Sequence, residues 1–159
     1  MVPSTLALLP EYASLDDPIA DLREAVGNAV AWLLEEGPAA VRGATPAAKR
    51  IGAELLGDLR GSGPGLLVVA NGSATRSEKA PGHLDVRAAD FDAALGKALT
   101  AGDLGTLANL DLDLAAELWA VDATTFSTLA EFDVTSVRVD YDEAPYGVQY
   151  WVMRFECRS

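Results

Sequence analysis

An uninterrupted apolar run constrains the fold of this chain more than any other feature. Residues 66–70, with the sequence Leu-Leu-Val-Val-Ala, contain no polar position and stop abruptly at Asn71 and Gly72. A run without alternation is typical of a strand that is covered on both faces, as in a parallel sheet. Because ligands of such sheets bind at the carboxyl ends of the strands, the loop of residues 71–87 is the first candidate for a functional site.

Helical signals flank this strand on both sides. Before it, Asp17 and Thr45 each precede a proline, which is the pattern of a helix start. After it, apolar residues at helical spacing predict a third helix that ends at Gly102. We expect three shorter helical pieces beyond Gly102, and their predicted caps are Asp103, Asp113 and Thr124. Their predicted core residues are Leu114, Leu118, Trp119, Phe126 and Leu129.

The last quarter of the chain predicts a β-hairpin. Residues 135–141 alternate between apolar and polar positions, which indicates a strand with one wet face. Residues 142–147 form a predicted turn, and residues 148–157 are rich in the aromatic and β-branched residues that favour strands. Near the start of the chain, residues 5–9 predict a short buried strand, whereas the Gly-, Ala- and Pro-rich residues 36–45 predict a loop.

These elements together predict the fold class. A strand, two helices, a parallel strand, a helical stretch and a hairpin form an α/β domain with a mixed, partly parallel sheet flanked by helices. The hairpin adds a C-terminal antiparallel pair to that sheet. The length is that of one domain, so we expect residues 1–159 to fold as a single unit.

Composition excludes some classes of function. The chain has 12 basic and 24 acidic residues, a net charge of −12 that repels nucleic-acid backbones and anionic membrane surfaces. No apolar run approaches the ~20 residues of a membrane span, and the first residues lack a signal-peptide pattern. Cys157 is the single cysteine, so no internal disulfide can form. We therefore expect a cytoplasmic protein.

Two polar segments form the candidate ligand site. The loop of residues 71–87 carries a dense set of charges. The turn of residues 142–147 is either an ordinary hairpin turn or a part of the pocket, because Tyr146 offers both a ring and a hydroxyl. The charges either form salt bridges on the surface or line a pocket for an anionic or hydroxylated ligand, and both interpretations stay open. The candidate pocket residues are Asn71, Ser73, Arg76, Glu78, Lys79, His83, Asp85, Glu143 and Tyr146.

The same segments offer little for metal or nucleophilic chemistry. His83 is the only histidine, so the sequence predicts no metal site, although Glu78, His83 and Asp85 lie close enough in sequence to gather around a cation. Ser73 follows a strand, but its neighbours lack the second glycine of a nucleophile elbow. We expect Ser73 to bond to the backbone of its own loop.

Several of these residues follow the pattern of a known family. The segments that begin at Asn71, Phe91, Leu99 and Leu114 resemble the C-terminal half of the class III extradiol ring-cleavage dioxygenase subunit-B family, to which protocatechuate 4,5-dioxygenase belongs. The match covers residues 64–155, and residues 1–35 match more weakly. The segments of residues 77–82 and 142–147 are closer to an uncharacterised actinobacterial branch. The resemblance implies a shortened domain on that scaffold.

The departures from the family pattern bear on function. The resemblance implies that active members hold non-haem Fe(II) with two histidines and a glutamate, and the motif histidine falls on Ala74 here. Residues 5–9 carry no histidine either, and the chain is shorter than the family domain between residues 36 and 65. The resemblance therefore implies the scaffold without its iron cofactor or its dioxygenase activity.

Three hypotheses of function follow. The first is a non-catalytic protein that binds a small polar or aromatic molecule, or a partner, through residues 71–87 and 142–147. The second is an enzyme with altered, metal-independent chemistry in the same crevice, and the third is a vestigial domain that serves assembly. Residues 148–157 are apolar on both faces of the predicted strand, with Val148, Tyr150 and Val152 on one face and Trp151, Met153 and Phe155 on the other. Because a shortened scaffold also exposes sheet edges, we expect a homodimer.

Overall fold

The computed structural model describes residues 1–12 and 17–158, so residues 13–16 and 159 of the predicted domain lie outside the description. The α-helices are α1 (Ala20–Leu33), α2 (Pro46–Leu56), α3 (Ala88–Ala101), α4 (Leu104–Ala108) and α5 (Leu112–Glu117). The strands are β1 (Ala39–Arg42), β2 (Gly65–Val68), β3 (Val134–Glu143) and β4 (Tyr150–Cys157). Short 3₁₀ helices span Leu6–Leu8, Pro10–Tyr12, Gly57–Leu59, Ala123–Glu131 and Pro145–Gly147.

The strands form two pairs that the first residues of the chain connect. β1 and β2 are parallel, and β3 and β4 are antiparallel. Between the pairs, Val2 donates to the Val68 carbonyl and accepts from the Ala70 amide (2.9 and 3.0 Å). Met1 and Met153 exchange both main-chain hydrogen bonds (2.7 and 3.0 Å), which is the pattern of an antiparallel pair. The order across the molecule is therefore β1, β2, Met1–Val2, β4, β3.

Helices cover both faces of this sheet. Alternate residues of β4 enter two separate clusters: Trp151 and Met153 pack with α3 on one face, and Tyr150 and Val152 pack with α1 and α2 on the other. Val148 and Phe155 follow the same alternation, as the sequence predicts. The α/β class, the parallel pair and the C-terminal antiparallel hairpin are confirmed. No helix in the described part of the chain is long and apolar enough to cross a membrane.

Local sequence signals define several helix ends. Thr45 caps α2 by accepting the Ala48 amide (3.1 Å), and Asp103 caps α4 by accepting the Thr106 amide (3.1 Å). α3 ends at Gly102 with φ +62°, a left-handed conformation that glycine adopts without steric cost. α1 begins two residues after Pro18, because Asp17 binds the Ile19 amide in a turn that precedes the helix (3.2 Å).

One strand prediction and one loop prediction are wrong. Residues 5–9 contain the 3₁₀ helix Leu6–Leu8, and the sheet is entered by Met1 and Val2 instead. Pro3 has no N–H and cannot continue the ladder, so the pairing ends there. The predicted loop of residues 36–45 contains β1, because the edge of β2 offers four residues a parallel partner that local composition does not reveal.

The helical pieces after Gly102 differ from the prediction in detail. Asp111 rather than Asp113 caps α5, by accepting the Leu114 amide (2.9 Å), and Thr124 lies inside the 3₁₀ helix Ala123–Glu131. Leu118, Phe126 and Leu129 are buried and Leu114 is half-buried, as the apolar pattern predicts. Trp119 is 51% exposed, because the chain turns at the end of α5 with φ +59° at this residue.

The dimer prediction assumes that residues 148–157 form an exposed outer strand, and the position of β4 does not fit that assumption. β4 pairs with β3 along its length and with Met1 on its other side, so it is not a free outer edge. Its two apolar faces are covered by helices of the same chain. Within the described residues, the outer edge of the hairpin belongs to β3, where register shifts between Val134 and Ser136 and between Val139 and Tyr141 disturb regular pairing. The homodimer stays a prediction.

Candidate functional site

A groove lies between α3 and the β3–β4 turn, and Arg76, from the loop that follows β2, is part of its lining. Its volume is about 640 Å³, within the ~300–1,000 Å³ typical of small-molecule sites. One wall is the face of α3 that carries small residues, and the other is the start of the β3–β4 turn. Polar side chains in its lining are Arg76, Asp92, Lys97, Thr100, Asp142, Glu143 and Gln149.

Asp92 organises the base of this groove. Its side chain is only 1% exposed, and it accepts hydrogen bonds from the Ser73 amide (2.8 Å) and the Ser73 hydroxyl (2.6 Å). The Arg76 guanidinium donates to the same carboxylate (3.3 Å). Ser73 itself is fully buried, so its hydroxyl is a structural donor to Asp92. The expectation that Ser73 bonds to its own loop backbone is wrong.

A second set of bonds joins Arg76 to the hairpin. Nη1 of Arg76 also donates to the Gln149 side-chain oxygen (3.1 Å). The Gln149 amide group then donates to the Asp142 carboxylate (2.8 Å). Arg76 is therefore held from two directions, by Asp92 of α3 and by Gln149, which directly precedes β4, and 30% of its side chain stays exposed to solvent.

Close packing beneath the groove depends on Gly72. A Cβ at this position would lie 2.6 Å from Oδ1 of Asp92, 2.8 Å from Cβ of Gln149 and 2.9 Å from Cη2 of Trp151. Only glycine lets the loop approach these side chains so closely. The Trp151 ring packs edge-on against Phe126, with centroids 6.5 Å apart, so the loop rests on a rigid aromatic support.

Burial and charge act in opposite directions on Asp92. Desolvation raises the pKa of Asp92 above its ordinary value, while the Ser73 donors and the Arg76 guanidinium oppose that rise. The carboxylate is thus fully engaged by the protein and has no exposed edge for a ligand. Asp92 acts as the anchor that positions Arg76.

The mouth of the groove presents both signs of charge. Nε and Nη2 of Arg76 and the ammonium of Lys97 have no acceptor among the described residues, and both side chains line the groove. Opposite them lie the exposed carboxylates of Asp142 and Glu143. The arrangement suits a small anion that carries a second group able to meet a carboxylate.

The structure brings together three of the predicted pocket residues. Arg76 and Glu143 line the groove, and Ser73 supports it from below through Asp92. Asn71 lies outside the lining, and its side-chain oxygen accepts the Ser4 amide (2.8 Å). Tyr146 is 59% exposed and also lies outside the lining.

The other predicted residues lie on the surface of the loop. Glu78, Lys79 and His83 are exposed and do not line the groove. Asp85 pairs with Arg87 (2.7 Å), which also pairs with Glu117 (2.7 Å). The Arg87 guanidinium lowers the pKa of Asp85 to about 2 through its hydrogen bonds. For this half of the loop the surface salt-bridge interpretation describes the structure.

Sequence reasoning missed Asp92, Lys97 and Gln149. The signal for Asp92 was present, because it lies one residue after Phe91 and three before Leu95, inside the buried stripe of α3. A carboxylate on an apolar helix face needs partners, and that requirement identifies it as a site residue. Gln149 has no comparable local signal, because its partner Arg76 is 73 residues away in the chain.

The residues present do not fit the iron site that the family resemblance implies. Ala74, at the position of the motif histidine, packs half-buried against the cluster of α1 and α2. Within residues 1–12 and 17–158, no three His, Cys, Asp or Glu side chains lie close enough to hold a metal ion.

Comparison of the chain with protein-family models, curated proteins and solved structures found no match.

Proposed function

We propose that this protein is a non-catalytic binder of a small anionic molecule, which it holds in the groove between α3 and the β3–β4 turn. The ligand places a carboxylate or phosphate on Arg76 and Lys97. A hydroxyl or ammonium group on the ligand faces Asp142 and Glu143. We further propose a cytoplasmic location and descent from the extradiol dioxygenase scaffold, which the motif segments of the sequence suggest.

The way in which Arg76 is held carries this proposal. An arginine that served only to neutralise Asp92 would point its guanidinium at the carboxylate. Here a single nitrogen, Nη1, serves both Asp92 and Gln149 (3.3 and 3.1 Å), and the remaining nitrogens have no acceptor in the described part of the chain. A fixed guanidinium with unused donors recognises planar anions in a bidentate manner.

Binding is favoured over catalysis by the state of the neighbouring groups. Ser73 is fully buried, and its hydroxyl is engaged with Asp92, so it is a poor nucleophile. His83 does not line the groove, which leaves no imidazole there to act as a general base. The polar side chains of the groove can therefore bind a ligand, and we propose binding without catalysis.

A thermal-shift screen of small anions tests the proposal. The panel contains aliphatic and hydroxylated aromatic carboxylates, amino acids and phosphate monoesters at millimolar concentration. A ligand at a hundred times its Kd stabilises the folded state by about 2.7 kcal/mol. For a domain of this size that raises Tm by about 5–11 °C. We expect one class of anion to give such a shift.

Arginine variants make the screen specific. Arg76→Gln removes the guanidinium from the groove and should abolish the shift, and Arg76→Lys should weaken it while keeping the ion pair with Asp92. Arg87→Gln is the matched control, because Arg87 also forms ion pairs but lies outside the groove. An anion that raises Tm equally in wild type and in Arg76→Gln would contradict the proposal, as would failure of the whole panel.

A further inference from the structure

The sheet has an opening at the end opposite the groove. Met1 and Val2 link β2 to β4 only at Val68, Ala70 and Met153. Beyond that link, Gly65–Leu67 of β2 and Arg154–Cys157 of β4 line the two sides of a cavity of about 440 Å³. β1 and β3 pair with the outer sides of these segments, but no described residue pairs with either strand on the side that faces the cavity. We call this cavity the sheet slot.

Main-chain groups point into the sheet slot from both sides. In β2, the Val68 carbonyl and the Ala70 amide bind Val2, while the Val69 amide binds Arg42 of β1 (2.8 Å). Because successive residues of a strand direct their N–H and C=O groups to opposite neighbours, Leu66 directs both of its groups into the slot. In β4, Met153 binds Met1, so Phe155, two residues later, also faces the slot.

The walls of the sheet slot are apolar on both faces. Ala29 and Leu33 of α1 form one wall, and Leu129 and Phe132 form the other. Met1 closes the inner end. A polar loop would not suit this environment, whereas a central strand, which buries side chains on both faces, would.

The outer rim of the sheet slot is acidic. Glu35, Glu36 and Glu156 line it and form no ion pair within residues 1–12 and 17–158. Among the described residues that line the slot, Arg154 is the one with a cationic side chain, and Asp140 already binds it through two hydrogen bonds of 2.7 Å. The rim therefore attracts positive charge from outside, and the protein's net charge of −12 adds to this attraction.

We propose that the sheet slot binds an extended, basic peptide segment of another protein, which adds a strand between β2 and β4. The segment runs parallel to β2 and antiparallel to β4, the direction that Val2 already takes beside Val69. Its C-terminal residues are apolar and lie next to Met1. Its N-terminal residues are basic and meet the rim carboxylates. Main-chain hydrogen bonds supply affinity, and the walls and rim supply specificity.

A synthetic peptide tests this directly on the untagged chain. The probe is a blocked hexapeptide with lysines in its first half and valines in its second half. Binding is followed by fluorescence anisotropy of the labelled peptide, and amide hydrogen exchange is followed by NMR. We expect binding to slow exchange at the Leu66 and Phe155 amides, which face the slot. Exchange at Val69, already bonded to β1, should change little.

Two controls separate strand addition from simple attraction of charge. The same peptide with every second amide N-methylated keeps its side chains and charge but loses the donors of one edge, so it should not bind. Glu36→Lys should weaken binding about tenfold, whereas Glu24→Lys, an equally exposed change on α1 outside the slot, should not.

Three results would overturn the proposal. The first is equal binding of the N-methylated peptide, and the second is binding without protection of Leu66 and Phe155. The third is protection of these amides in a dimer without peptide, detected by sedimentation, which would make a second copy the occupant. Because the slot and the α3 groove share no lining residue, failure here leaves the anion-binding proposal unaffected.

Discussion

Replacement of Gly72 by alanine probes the packing on which the groove rests. The added Cβ would lie 2.6–2.9 Å from Asp92, Gln149 and Trp151, whereas ordinary contacts between carbon atoms are about 3.5–4.0 Å. None of these three side chains can easily move away from the added Cβ. Asp92 is held by the Ser73 donors, and Trp151 is 1% exposed and packed against Phe126.

The expected cost follows from two opposing effects. Overpacking of a tight site costs about 1–3 kcal/mol, and loss of glycine flexibility in the unfolded chain returns about 0.4–1 kcal/mol. The midpoints of these two ranges leave a net destabilisation of about 1.3 kcal/mol. For a chain of this size that lowers Tm by about 3–5 °C. Displacement of Asp92 should also loosen Arg76 and weaken the binding of any anion in the groove.

Thermal unfolding of matched alanine variants measures this cost. Gly27→Ala is the control, because Gly27 lies inside α1 and a Cβ there meets nothing within 4 Å. That change should stabilise the protein by about 0.5–1 kcal/mol. A Tm for Gly72→Ala equal to or above that of wild type would refute the packing that we describe beneath the groove.

Two further predictions concern buried charge. The hydrogen bonds from Arg154 lower the pKa of Asp140 in the folded protein. The stability that they add is fully present above the pKa of an aspartate in the unfolded chain, about 3.9. It is lost as the pH falls through the lower pKa of Asp140 in the folded protein. Asp140→Asn should therefore lower the free energy of unfolding at pH 7. Urea titrations should show that the difference in this free energy between wild type and variant disappears at lower pH. Asp92→Ala should cost at least about 1–3 kcal/mol in urea titrations at pH 7, because the buried amide and hydroxyl of Ser73 lose their acceptor. A constant difference across pH for the first variant, or unchanged stability for the second, would contradict these assignments.

Local sequence signals by themselves determined most of the elements. The apolar run of residues 66–70 predicts β2, and the Thr45 cap and Gly102 predict where α2 begins and where α3 ends. The alternation along residues 148–157 predicts which side chains of β4 face each layer. These features depend on the conformational preferences of residues close in sequence, so they can be predicted without knowledge of the tertiary structure.

Contacts between distant residues decided the rest. β1 is four residues long and half of it is alanine, so its own sequence does not predict a strand, and it forms because β2 offers it a parallel partner. Met1 joins the two strand pairs by bonding to Met153, 152 residues away. The sequence places Arg76 in the candidate pocket, but the guanidinium is held there by Asp92 of α3 and by Gln149, which directly precedes β4. A polar side chain acquires its role from partners that the folded chain supplies, and the spacing of residues along the sequence carries no record of those partners.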